Sequence, residues 1–515
     1  MCQVDEEYDS PLEQKSLPAF TKKCMKCKEG IAVLIIRVGD AFCRGCFKEY
    51  FIHKFRAMLG KNRVIFPGEK ASIDIKQVLL AVSGGPASSC MLAQVQEGLS
   101  RDAPKKLRFM PGIIYIDEGG VCGQNAEKRE KAAAQLESIF RNTGFPYHIV
   151  PLEQVFTLPE SVLKPVCSRE QPSSSASYKA AVDQHIRREV TRGQGEPAVE
   201  ESQDALGRLH LQASTYKPEH RLALEGLFSS LKTLTAKQDM LHTLRQHLIL
   251  HTARINGYSK VMMGDSCTRL AIKLLTNISL GRGAALAADT AFSDSRYGDV
   301  VMVRPMRDYS SKEIGFYNRL FEVQSVFIPG LDTKTADKAS IQRLTESFVV
   351  KLQANFPSTV STVYRTSEKL NTASPPQSST TEAAAKCLLC LCALDTRAGK
   401  LQHYPYEATA FHATLMSEQL SRRTREEKGQ GDAGCCQGQN QACGDGSCCS
   451  TSRVPVATDL KSLLCYSCRL TVKDMTALET LPPYITAEAE KRQRRAAMKT
   501  EIDEFLLEDE GEDDE

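Results

Sequence analysis

The chain has 515 residues, 42% hydrophobic and 25% charged, which predicts three or four folding units with ample core and excludes a wholly disordered or collagen-like protein. No apolar run reaches the ~18 residues of a spanning helix, the longest candidate, 383–394, being broken by Lys386, and Met1-Cys2-Gln3-Val4-Asp5-Glu6-Glu7 is no secretory signal. A cytoplasmic protein without a membrane partner is expected, and its nineteen cysteines then read as metal ligands, reactive thiols or core residues rather than disulfides.

Residues 1–20 are acidic and then punctuated by Pro and Lys, and are expected to be disordered. Residues 21–67 form a cysteine-rich unit, followed over 68–370 by apolar strands alternating with amphipathic helices. Strands are predicted at 73–82, 107–117, 147–152, 260–265 and 300–303, and helices at 87–99, 124–142, 222–255, 267–280, 311–322 and 335–355. In the second helix Ala132, Leu136, Ile139 and Phe140 share a face, and Ser310-Ser311-Lys312-Glu313 carries a capping signal. This alternation predicts an α/β domain with a doubly wound parallel sheet.

An insertion falls near 170–220, with Ser173-Ser174-Ser175 and a polar stretch over 191–219. Residues 371–386 are Ser/Thr/Pro-rich and read as a linker. A second cysteine-rich unit spans 387–470 around a Gly/Gln/Cys-rich insert, 415–455, expected to be disordered; 471–515 hold a basic helix and an acidic tail. Ten of the 63 acidic residues and none of the 66 basic ones fall in 501–515. The net charge of +3 thus combines a basic body with an acidic tail. Such a body suits a polyanionic partner, the alternative being a solvated surface.

Cys24-x2-Cys27 and Cys43-x2-Cys46 stand fifteen residues apart, the spacing at which two knuckles surround a zinc ion with four thiolates. A structural zinc ribbon is expected, reduced structural cysteines being the alternative. Eleven basic residues against three acidic ones between Lys22 and Arg63 give this unit a phosphate-binding character. Cys387-x2-Cys390 and Cys465-x2-Cys468 repeat the pattern with 74 residues between knuckles, a gap whose closure cost grows only logarithmically. A second zinc site is expected there, with Cys392 as an alternative ligand and Cys435, Cys436, Cys443, Cys448 and Cys449 as incidental thiols. The isolated Cys90, Cys122, Cys167 and Cys267 read as small core residues. His242, His247 and His251 at helical spacing read as a solvated or partner-facing edge rather than a metal site.

The strand 77–82 runs into Ser83-Gly84-Gly85-Pro86-Ala87-Ser88-Ser89 and then a helix, a turn able to cradle phosphate with backbone amides. Ser83, Gly84, Gly85, Ser88 and Ser89 are its candidate binding residues. The run resembles the SGGxDS loop of PP-loop ATP-pyrophosphatases. Asp117 after the second strand, Gly264-Asp265, and Lys273 to Gly283 resemble the GHNxDDxAxTxLMNxxRG stretch of tRNA thiolases. With the flanking ribbons, the whole is similar to the second subunit of the eukaryotic cytoplasmic wobble-uridine thiolase.

That resemblance implies 2-thiolation of U34 in the tRNAs for Lys, Glu and Gln. ATP adenylates the uridine, and sulfur comes from a thiocarboxylated ubiquitin-like carrier. Departures from the pattern imply an accessory role. Pro86 and Ala87 replace the loop's polar residue and Asp, Cys267-Thr268-Arg269 replace the aspartate pair, and the family's central cysteines would fall at Lys237 and Met240. The resemblance implies a heterodimer with a catalytic paralogue, in which this chain holds two structural zinc ions and grips tRNA; whether it binds ATP stays open. An autonomous thiolase using Cys267 or Cys167, and a zinc-ribbon scaffold, are the alternatives.

Overall fold

The structure, a computed structural model, describes residues 22–36, 40–62, 77–100, 106–164, 217–283, 286–366, 386–394 and 460–503. The N-terminus, most of the insertion, the linker, the second insert and the acidic tail lie outside the described residues, as do Cys167 and the five insert cysteines.

A short hairpin, β1 (Leu34–Ile35) and β2 (Ala41–Phe42), leads into helix α1 (Arg44–Asn62). The main sheet then starts with β3 (Gln77–Ala81), α2 (Pro86–Leu99), β4 (Met110–Asp117), α3 (Ala126–Thr143) and β5 (Tyr147–Pro151). Two helices follow, α4 (Pro218–Ser230) and α5 (Leu234–Ile255), before β6 (Lys260–Met263), α6 (Cys267–Ser279), α7 (Leu286–Thr290), β7 (Ser293–Asp294) and β8 (Val301–Val303). Helices α8 (Ser311–Leu320), α9 (Ile341–Asn355), α10 (Pro357–Thr366), α11 (Tyr466–Lys473) and α12 (Pro483–Asp503) complete the described elements.

The sheet order is β5-β4-β3-β6-β8-β7, parallel except for β7, which pairs antiparallel with β8. That reversed edge strand is too short to register in the sequence pattern, so the fully parallel expectation is corrected at one edge. The chain winds outward from β3 through β4 to β5, then returns to place β6 on the other side of β3. The crevice between the carboxyl ends of β3 and β6 is therefore the topological switch point, where such sheets hold ligands.

The strands are apolar on both faces because both are covered. Val78, Leu80, Ile113, Tyr115, Met262 and Val303 enter one core with Phe47, Phe51, Phe55 and Leu59 of α1. Leu79, Ile114, Ile116, Val261 and Met302 enter the opposite core with α4, α5 and Cys387, Leu388, Cys465 and Cys468. The period-two alternation of strand side chains thus sends neighbours to different layers, and each layer carries one of the two cysteine units.

Local signals fix several boundaries. Asn125 caps α3 by accepting from Lys128 N, and Gly144 ends it in the left-handed region at φ 70°. Ser310 and Glu313 close the expected capping box on α8. The helix expected over 222–255 is two helices: Thr233 accepts from Ala236 N to start α5, and its hydroxyl donates to Asp474 at 2.9 Å. Helix α9 begins at Ile341 rather than Thr335 because Ser340 is its cap.

Candidate metal centres and the glycine turn

The sulfur atoms of Cys24, Cys27, Cys43 and Cys46 all lie within 4.8 Å of one another. Four thiolates ~2.3 Å from a tetrahedral zinc sit about 3.8 Å apart, and Cys27 Sγ is 3.9 Å from Cys43 Sγ. The donor set and spacing fit the ion. A Cβ on Gly30 would stand 3.1 Å from Cys43 Cβ and 3.3 Å from its sulfur, so any larger residue would have to push the cysteine aside by a few tenths of an ångström. Burial raises the Cys24 thiol, but the backbone N–H groups of Cys27, Cys43 and Lys26 outweigh it and bring it down to about 6. Burial and the surrounding thiols push Cys46 up to about 12. A metal resolves this split by taking all four as thiolates.

Cys387, Cys390, Cys465 and Cys468 form the second such group, with Cys390 Sγ 3.6 Å from Cys465 Sγ. The two groups are built alike. In each, the residue four beyond the first cysteine, Lys28 or Leu391, adopts a left-handed φ, 60° or 58°. Each also donates its N–H to that cysteine's carbonyl, at 2.9 and 3.1 Å. In each, the second pair opens a helix: Cys43 precedes α1 and Cys465 precedes α11. A non-glycine residue in that conformation is uncommon, and its recurrence at the same offset marks a common knuckle. The sequence does not display it, because Lys28 and Leu391 have nothing chemical in common.

Cys392 lies outside the second group, its sulfur receiving Arg296 Nη1 at 2.7 Å. The histidine edge of α5 is not solvated as expected. His247 is 1% exposed, its Nε2 bonded to Leu389 O at 2.8 Å and its Nδ1 to the Tyr484 hydroxyl at 2.6 Å. It is a neutral link between α5, the second cysteine unit and α12. The helical spacing marked a shared face correctly, but the covering element arrives from more than a hundred residues away.

The glycine turn sits at the switch point. Gly84 takes φ 79°, and its carbonyl accepts from Val326 N at 2.9 Å. A Cβ there would meet Leu136 Cδ2 at 3.0 Å and Ile328 Cδ1 at 3.3 Å. Ser88 Oγ accepts from Ser83 N at 3.2 Å and donates to Gly85 O at 3.1 Å, while Ser89 Oγ donates to Gly84 O. Asn318 Nδ2 caps Pro86 O at 2.8 Å, and Gly264 packs so closely that a Cβ would lie 2.8 Å from Ser88 Cα. The structure thus brings Ser83, Gly84, Gly85, Ser88 and Ser89 together as a turn whose hydroxyls bond within it and whose Gly84 is covered by Val326 and Ile328, while Ser83 stays exposed and Gly85 half-buried.

The acids at the strand ends are also engaged. Asp117 accepts from Arg129 Nε at 2.8 Å, and Arg129 holds the fully buried Glu153 through Nη1 at 2.6 Å and Nη2 at 3.0 Å. Asp265 lies 3.4 Å from Arg304 Nε. Sequence reasoning missed Arg129 and Glu153; the only signal was an arginine on the apolar side of α3. Near the family's thiol positions, Met240 is buried and Asp239 pairs with Arg282 and accepts from Thr471. Burial pushes Cys267 up to about 11 and Cys122 up to about 12, and raises Cys90 as well, so none of them is readily a thiolate.

Among the described residues no helix is long and apolar enough to cross a membrane. The chain aligns with the U34-tRNA thiolase NcsA from Methanococcus maripaludis with its [4Fe-4S] cluster at 14% identity and a TM-score of 0.41, over 68% of this chain and 86% of that one, a likeness too small to speak for chemistry. The family model for cytoplasmic tRNA 2-thiolation protein 2 matches residues 340–470. The cytoplasmic tRNA 2-thiolation protein 2 of Danio rerio is 65% identical over 518 residues, covering 99% of each chain, and that of Homo sapiens is 51% identical over 525, covering 99% of this chain and 98% of that one. At such identity over its full length, the chain belongs to the cytoplasmic tRNA 2-thiolation protein 2 family.

Proposed function

We propose that the chain is an accessory subunit in cytoplasmic 2-thiolation of the wobble uridine, U34, of the tRNAs for Lys, Glu and Gln. It works in a heterodimer with a catalytic PP-loop paralogue, which activates the uridine with ATP and takes sulfur from a thiocarboxylated ubiquitin-like carrier. The observation that carries this reading is the state of the switch point: Gly84 lies under Val326 and Ile328, Asp117 and Asp265 are paired, and Cys90 and Cys267 are buried. Family membership gives the pathway and the cytoplasmic setting; the engaged acids and buried thiols support the division of labour.

Two zinc ions, on Cys24, Cys27, Cys43 and Cys46 and on Cys387, Cys390, Cys465 and Cys468, hold the flanking units. Residues 21–67 and 387–470 then act as zinc modules on the 68–370 domain. Lys22, Lys23 and Lys28 stand exposed around the first module and supply salt-dependent contacts to tRNA phosphates. Lys26 is paired with Glu49 at 2.7 Å and contributes less. The closed turn also favours a scaffold reading, in which Ser83 to Ser89 only shape the sheet.

The test is reconstitution of thiolation with tRNA, ATP and a sulfur donor, using this chain, the paralogue or both. Turnover requiring both is the expected result, and robust turnover by this chain alone overturns the assignment. Replacing Ser83 with Ala separates the two accessory readings: loss of thiolation in a folded heterodimer favours a nucleotide role for the turn, full retention the scaffold.

A further inference from the structure

Between α5, α6, α7 and the second cysteine unit lies a polar cleft that none of these roles uses. It offers a cavity volume of about 30 Å³, and its walls include His242, Gln246, Lys273, Asp289, Arg296 and Arg304, with Arg282 beside them. Four cations and a single carboxylate line it. Three of the cations are spent: Arg282 on Asp239 and Ser467, Arg296 on Asp289, Asp294 and Cys392, and Arg304 on the carbonyls of Ala288 and Ala291.

Lys273 is different. Its ammonium is 3.6 Å from Asp289 Oδ1, beyond hydrogen-bond reach, and that carboxylate already receives Arg296 and Asn277. Gln246 Oε1 is buried without a hydrogen-bond partner, whereas Arg304 Nε faces the Asp265 carboxylate at 3.4 Å. A polar wall that holds an unsatisfied acceptor beside an ammonium lacking a hydrogen bond calls for a polar guest. Burial disfavours the charge of Lys273 and of His242, the latter pressed further by the Lys273 and Arg245 cations. A compact anion relieves both.

We propose that this cleft is a binding site for a phosphate-class oxyanion, with Lys273 as its charged contact and Gln246 accepting from the protonated oxygen of hydrogen phosphate. Charge-assisted hydrogen bonds to phosphate are the strong kind, and Lys serves as a point-charge partner for it. The site is separate from the glycine turn and does not rest on the accessory reading.

Isothermal titration of the full-length chain with inorganic phosphate, against potassium chloride at matched ionic strength, tests it. Saturable phosphate binding is expected, weakened at least about tenfold by Lys273→Met and severalfold by Gln246→Leu. The lysine is partly exposed, so its variant should fold, which far-UV circular dichroism checks; if it does not, the charge-neutral Gln246→Leu carries the test alone. Competition by AMP or by tRNA for the same site would assign the phosphate to a nucleotide or to tRNA, and its absence to the free ion. Heats indistinguishable from chloride, unchanged affinity in the folded variants, or affinity lost only in Ser83→Ala overturn the proposal.

Discussion

Replacing Arg129 with methionine should be among the most damaging single changes in the sheet domain. Arg129 and Glu153 are 6% and 0% exposed, and Asp117 is 14% exposed at its side chain. Burial works against the guanidinium's charge, but the bonds from Glu153 and the field of Asp117 outweigh it and raise its pKa. Methionine keeps the apolar stem and removes the charge, leaving Glu153 in the interior with no countercharge. Breaking a buried pair from one side costs about 3–5 kcal/mol, whereas removing both charges is often neutral. Urea unfolding followed by far-UV circular dichroism should therefore show a loss of about 3–5 kcal/mol for Arg129→Met, most of it restored in Arg129→Met/Glu153→Met. A single-variant cost below about 1 kcal/mol, the range of exposed pairs, or a double variant no better than the single, would refute the claim that this triad is a desolvated clasp.

The purified chain should carry two zinc ions per molecule by elemental analysis, falling to one in Cys24→Ser and in Cys465→Ser, with iron or no metal ruling the assignment out. His247 gives a pH dependence. Burial holds its pKa down to about 4, against about 6.5 in an unfolded chain. Between those values the unfolded state binds more protons, so stability is full above about pH 6.5 and falls as the pH drops towards 4, by up to about 3 kcal/mol. An unfolding series from pH 7 to 5 should slope less steeply for His247→Gln, and parallel slopes would show that His247 is not held neutral.

The elements that repeat a period were legible in the sequence. Val78 to Val82, Leu136 with Phe140, and the Ser310–Glu313 box each carry their reason within a few residues, so local chemistry places them. The cysteine spacings likewise brought both fours together, the second across a gap that spacing alone made unusual. What stayed hidden was set by distant partners. Nothing near His247 announces Leu389 or Tyr484, nothing near Asp117 requires Glu153, and Gly84 reads as an open phosphate turn until Val326 and Ile328 lie over it. A motif gives the shape of a turn; only packing decides what reaches it.

The same dependence on distant partners holds at the seam between α5 and the second cysteine unit. On α5 Asp239 joins Arg282 and Thr471, and Arg282 reaches Ser467 at 2.9 Å, one residue before Cys468 of the second four-cysteine group. A carboxylate and a guanidinium thus tie α5 and the loop after α6 to the second cysteine unit. A buried ion pair is weak evidence for stability, and this one adds to the polar links that His247 makes to Leu389 and Tyr484 and Thr233 makes to Asp474. These positions hold the C-terminal module in register against the sheet. Asp239→Asn would leave Arg282 buried with half its pairing, so it should loosen that module before it unfolds the sheet, and hydrogen exchange in α11 faster than in β3 is the signature to expect.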